Sequence, residues 1–153
     1  METVIGIDPG LKGGIAVVKE GTLADLYDMP VVPRVKGKGM QVNGYELAEI
    51  IGKQDKYDSI VKIENVHSMP GQGVSSTFKF GESFGIIIGV CQALSLKMEF
   101  ITPSVWKRKA GLIGKDKDVA RTLSIQRHPS WAGQLKLKKH GGRADAILIA
   151  EFG

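Results

Sequence analysis

The chain has a single cysteine, Cys91, among 153 residues, which leaves no intramolecular disulfide and excludes a cysteine-built zinc site. His67 and His128 match no Cys/His spacing that would suggest zinc. No apolar run reaches the ~18 residues of a membrane span, and no charged-then-apolar leader opens the chain. The expected setting is therefore the cell interior, cytoplasmic and without a membrane partner. Internal repeats are lacking, and the one low-complexity hint is the Lys-Gly-Lys-Gly stretch at 36–39. What remains is ordinary for a globular chain: 42% hydrophobic and 24% charged residues, predicting one domain over 1–153. Glycine is in excess, with 20 of 153 residues against an average near ~7%.

Acidic side chains are scarce in one third of the chain. Residues 1–106 carry 10 basic and 12 acidic groups, whereas residues 107–143 carry 11 basic groups and only Asp116 and Asp118. A positive block on a folded domain suits phosphate-backbone binding, because neutralised phosphates release condensed counterions. It also suits a merely solvated basic face.

Along the chain, Thr3–Asp8, Ile15–Val18 and Leu23–Met29 read as short apolar strands separated by Pro9-Gly10, Gly13-Gly14 and Glu20-Gly21. Such short turns predict an antiparallel meander. Val31–Gln41, preceded by Pro30 and containing Pro33 and the Lys/Gly stretch, is expected to be a mobile loop. Asn43 is placed to cap a helix to about Gln54, burying Leu47, Ile50 and Ile51. A strand at Ser59–Glu64, a loop at Asn65–Ser76, a long helix at Thr77–Leu96 and a strand at Lys97–Ile101 follow. Short helices are expected after Thr102-Pro103 and over Lys115–Gln126, irregular chain over His128–Lys139, and a last helix at Arg143–Phe152. The order predicts an α/β fold with a central five-stranded mixed sheet.

Asp8 and Glu64 each end a predicted strand, where ligand sites collect in open α/β sheets. Asp145 lies in the first turn of an otherwise apolar helix. Taken singly, these are a turn residue, a surface charge and a helix N-terminal charge. Taken together, they form an oxygen-only set of the kind Mg²⁺ or Mn²⁺ prefers, and a gathered set needs such a cation because buried carboxylates repel.

Ile-Gly-Ile-Asp-Pro-Gly at 5–10, Ile-Glu-Asn-Val at 63–66 and Ala-Asp-Ala at 144–146 resemble the RuvC-type Holliday junction resolvases of the ribonuclease H-like superfamily. Lys79 with Gly81 and Gly85, Thr-Pro-Ser-Val-Trp-Lys at 102–107, and Gly114–Val119 continue the likeness over nearly the whole chain. Asp28-Met29-Pro30 and the segment 67–72 look most like the phage-encoded branch, whose setting would be an infected bacterial host. The resemblance implies a ribonuclease H-like fold, helices on both sheet faces, and a structure-selective endonuclease for branched double-stranded DNA. It implies two-metal phosphodiester hydrolysis leaving 5′-phosphate and 3′-hydroxyl ends, with Mg²⁺, or Mn²⁺ in its place, held by Asp8, Glu64 and Asp145. Lys107 and Lys117 match its basic positions. Lys79, Lys109, Lys115, Arg121, Lys138, Lys139 and Arg143 complete the expected DNA-binding set.

Two positions depart from the pattern. Where many relatives have an acid or histidine three residues before the last aspartate, this chain has Gly142. His140 can substitute as ligand or proton shuttle if residues 140–142 bend away from helix, or it can simply touch phosphate. The relatives' aromatic wedge falls at His67, leaving Phe78 or Phe80 as substitutes. Gly81, Gly85, Gly89 and Ala93 make a smooth stripe that either packs on the chain's own sheet or pairs two copies in a homodimer. Trp106 faces the core or, like Trp131, stacks on unpaired bases. Three functions stay open: a junction nuclease, a nuclease for flaps or RNA–DNA hybrids, and a structure-specific DNA binder without cleavage.

Overall fold

In the computed structural model, which describes residues 2–66 and 71–153, the chain opens with three strands: β1 (Thr3–Asp8), β2 (Gly14–Lys19) and β3 (Thr22–Asp28). They pair antiparallel, as their turns predict. The β2–β3 link is two residues, Glu20 at φ 51° and Gly21 at φ 78°. Positive φ at both positions matches the twist of a tight hairpin, which is why glycine stands second.

The segment expected to be a mobile loop is instead a small hairpin, β4 (Val31–Pro33) with β5 (Met40–Val42). Asn43 then caps α1 (Gly44–Ile51), its side chain accepting from the Glu46 N–H at 3.2 Å. This helix stops at Gly52, earlier than expected, with Leu47, Ile50 and Ile51 buried as predicted. Strand β6 (Ser59–Glu64) leads to α2 (Val74–Ala93), which begins three residues before its expected start, and then to β7 (Lys97–Ile101). The hairpin is tied to α2 by Arg34, which donates to both Glu82 carboxylate oxygens at 3.0 and 3.2 Å. The Val42 N–H donates to Ser83 Oγ at 3.2 Å beside it.

Helices α3 (Pro103–Lys109), α4 (Lys117–Arg127) and α5 (Gly141–Phe152) complete the chain. The stretch read as irregular holds two 3₁₀ turns, Pro129–Gln134 and Lys138–His140. Among the described residues no helix is long and apolar enough to cross a membrane.

The sheet order is β3-β2-β1-β6-β7, with β6 and β7 parallel to β1. Both faces are covered. Ile5, Ile7, Ile15, Val61 and Ile63 pack toward α1 and α2, meeting Leu47, Ile87 and Cys91. Ala16, Val18 and Leu23 pack toward α5 and its neighbours, meeting Ile147, Leu148, Trp106 and Leu135. Strand alternation sends successive residues to opposite faces, so Gly6, between Ile5 and Ile7, looks toward α5. A Cβ there would strike the Ala146 carbonyl and Ala150. The glycine lets α5 lie against β1, and that contact brings Asp145 to the sheet's edge.

Candidate active site

β1 and β6 are adjacent and parallel, with Ile7 opposite Ile63, so the next residues, Asp8 and Glu64, share the C-terminal edge of the sheet. Asp145 comes from the second turn of α5 and interacts electrostatically with both. The Asp8 carboxyl accepts from the Gly10 N–H at 3.3 Å, a bond supplied by the Pro9-Gly10 turn. Burial pushes the Asp8 carboxyl up to about 6, reinforced by Glu64 and opposed by the Gly10 N–H and Lys107. Burial also pushes Asp145 up to about 7, reinforced by Asp8 and Glu64 and opposed by Lys107 and Lys117. Neither aspartate makes an ion pair among the described residues.

Glu64 has a partner that its sequence context does not reveal. Its Oε2 accepts from Trp106 Nε1 at 2.8 Å. Trp106 is 1% exposed, so its ring belongs to the core and its N–H faces the site. The Lys107 ammonium lies 5.6 Å from the centre of the same ring.

The chemistry of the three carboxylates is that of a site for a hard cation. All donors are oxygens, and two are pushed toward protonation by burial and mutual repulsion, which a hard divalent cation relieves. No group of three or more His, Cys, Asp or Glu side chains among the described residues is already assembled around one point, however. By its chemistry, though not by an assembled geometry, the donor set suits Mg²⁺ or Mn²⁺.

Beside Asp145 opens a cleft of about 430 Å³ lined by Lys12, Lys107, Lys115, Lys117, Lys138 and Lys139, with Leu112, Ile113, Ala120 and Trp106 as its apolar part. Five of the nine basic residues expected to bind DNA meet here. Lys12 was not among them, although its place in the turn just after Asp8 is the signal that could have found it. Lys109 is exposed on α3 but outside the lining. Lys79 sits on α2 near Glu82 and Gly39 of the β4–β5 hairpin, away from the cleft.

The two arginines are engaged within the protein. Arg143 grips both Asp28 carboxylate oxygens at 2.7 and 3.1 Å and donates to the Gln134 carbonyl, holding Asp28 well below the usual carboxylate range. Arg121 donates to Asp118 at 2.6 Å and to the Leu135 and Lys136 carbonyls.

His140 is not brought to the carboxylates. It is 6% exposed at the end of a 3₁₀ turn, its Nδ1 accepting from the Leu137 N–H at 3.2 Å. Burial, then Arg143 and Lys139, pull its pKa down, and Asp28 opposes them. The expected bend after it is missing, because Gly141 is already helical at φ −57°, ψ −38°. Gly142 has its own steric reason. A Cβ there would collide with the Lys12 carbonyl and with Gly13, so α5 docks on the β1–β2 turn only through glycine.

The other expectations sort by exposure. His67 lies outside the described residues. Phe78 is 66% exposed, whereas Phe80 stacks on Phe84, which in turn meets Phe100 edge-on. Trp131 packs against the core. The stripe of Gly81, Gly85 and Gly89 faces open space, while α2 buries Ser83, Ile87 and Cys91.

No protein-family model matches the sequence, and no curated protein matches it. Solved structures do. The Thermus thermophilus RuvC structure is 16% identical over 98% of this chain and 93% of that one, with a TM-score of 0.58. T. thermophilus RuvC in complex with a Holliday junction substrate is likewise 16% identical, over 98% of this chain and 90% of that one, with a TM-score of 0.59. Over 98% of its length, this chain therefore has the RuvC-like, ribonuclease H-like fold.

Proposed function

We propose that this chain is a divalent-cation-dependent endonuclease that cuts branched DNA, the four-way junction foremost. The observation that carries the reading is that Asp8 and Glu64 share one sheet edge while Asp145, on the wall of a lysine-lined cleft, interacts electrostatically with both. A binding module gains nothing from acids placed next to phosphate, since they repel it. The structural likeness to a protein seen with a Holliday junction substrate supports the choice of DNA.

When bound, Mg²⁺ or Mn²⁺, two ions in this reading, would supply Lewis-acid activation of water and charge neutralisation at the phosphate. Asp8, Glu64 and Asp145 would hold the cations. Trp106 keeps the Glu64 carboxylate facing the site through its N–H. Lys107 and Lys117, which already act on the aspartates electrostatically, would hold the phosphates on either side of the reacting one. The remaining lysines of the cleft extend that grip along one strand.

Two copies would act together. A four-way junction has near two-fold symmetry, and a dimer across the outward-facing glycines of α2 presents two sites for paired nicks.

The test is a substrate panel: labelled four-way, three-way, flap, linear duplex and RNA–DNA hybrid, each with Mg²⁺, Mn²⁺ or EDTA. Cation-dependent cutting strongest on the four-way junction is expected. Preferred cutting of the hybrid or flap would reassign the substrate, and tight junction binding with no cutting under either cation would make the protein an architectural binder.

A further inference from the structure

We propose that the cleft beside Asp145 receives one unpaired nucleotide, with its phosphate on the lysine rim and its base against an apolar floor at Leu112 and Ile113. This rests on the nuclease reading and deepens it by naming what enters the site. The volume of about 430 Å³ is enough to take a group the size of a single nucleotide. Phosphate binding alone needs only surface cations, as backbone contacts on duplex DNA show. This cleft is lined by both cations and hydrocarbon, with Leu112 buried and Ile113 half-exposed among the lysines, the two chemistries that a nucleotide's phosphate and base require.

The floor is built by the link between α3 and α4. Gly111 and Gly114, both at φ 74°, bracket Leu112 and Ile113. The Leu112 N–H donates to the Lys107 carbonyl at 2.7 Å, and the Leu112 carbonyl accepts from the Lys115 N–H at 3.1 Å. This fixes Leu112 as an 8% exposed base and leaves Ile113 at 53% exposure in the lining. Six lysines against Asp116 and Asp145 leave the lining strongly positive. A paired base reaches such a floor only by leaving its stack, at a few kcal/mol, whereas a branch point offers bases already free. The cleft thus selects for branched over continuous duplex without reading the junction as a whole.

The experiment measures binding in EDTA, where nothing is cut. The probes are a four-way junction with 2-aminopurine flanking the branch, a short oligothymidylate carrying one 2-aminopurine, and a paired duplex. The protein is the full chain, its Ile113→Ser variant and its Lys138→Ala variant, each checked for an unchanged melting temperature. Ile113→Ser should weaken the oligothymidylate and the junction about fivefold and leave the duplex within twofold. Lys138→Ala should weaken all three. The 2-aminopurine signal should change on binding to the wild type and not to Ile113→Ser. Equal effects of Ile113→Ser on all three probes, or no effect on any, would overturn the proposal and leave the cleft a phosphate clamp. The oligothymidylate arm reads the pocket even if no branched DNA is cut, so failure of the nuclease reading registers separately.

Discussion

Asp8 and Asp145 hold protons more firmly in the folded chain than in the unfolded one, at about 6 and about 7 against an ordinary 3.8. Between pH 4 and pH 7 the unfolded state therefore releases protons that the folded state keeps, and stability falls as pH rises. The fall should follow on the order of 1.4 kcal/mol per pKa unit for each group and level off above pH 7. A divalent cation should reverse it, so Mg²⁺ or Mn²⁺ should raise the melting temperature more at pH 8 than at pH 5. Asp8→Asn should flatten the pH profile of the cation-free protein. A melting temperature indifferent to both pH and cation would remove the electrostatic basis of the site. Trp106→Phe deletes the donor to Glu64 and should cost about 1.5–3 kcal/mol, the range for a bond to a charged group. Made in a Glu64→Gln background the same change should cost less, and a double-mutant cycle with no coupling would contradict the tether.

At the scale of elements, two contacts of α5 and α2 make opposite predictions for glycine. Gly142→Asp adds an acid three residues before Asp145, yet it should destabilise by ~1–3 kcal/mol and gain no cation affinity, because backbone of the β1–β2 turn fills the space. Gly85→Leu faces open space and should leave the fold intact while producing a monomer that cuts the two strands independently. A Gly85→Leu dimer with paired cuts would contradict the α2 interface.

The same contrast shows what the sequence reveals. β1, β6 and β7 run over the residues predicted for them, because each is a short apolar-rich run with a clear stop: Asp8-Pro9-Gly10 after β1, Glu64 at the end of β6 and Thr102-Pro103 after β7. That makes the approach of Asp8 to Glu64 legible before any coordinates. The β4–β5 hairpin is not legible, because Arg34 holds it to Glu82 at a separation of 48 residues. Trp106 and Glu64 are 42 residues apart and meet only once α3 has docked. The glycine stripe is legible as a stripe, but its direction depends on which face of α2 the sheet takes. His140 misleads for a related reason: five residues before Asp145 in sequence, it is turned by a 3₁₀ turn into a buried basic surrounding.

For the whole molecule, eight of the eleven basic residues in the positive block of 107–143 fall into three uses. Lys107, Lys115, Lys117, Lys138 and Lys139 join Lys12 around the cleft, Arg121 and Arg143 brace the fold, and Arg127 pairs with Glu151 at 2.8 Å. Only the first group should govern DNA affinity. Junction affinity should fall steeply with salt, and Lys107→Ala with Lys117→Ala should reduce the slope of log K against log salt by about 2. Lys109→Ala, outside the cleft, should change the slope little. The measurement that bears most directly on the central claim follows binding and cleavage of one four-way junction, with Mg²⁺, by the wild type and by Asp8→Asn. The account predicts junction binding within a few-fold of the wild type and a loss of cleavage of at least ~10²–10³-fold in the variant. Cleavage by Asp8→Asn at the wild-type rate, or by the wild type in EDTA, would contradict it.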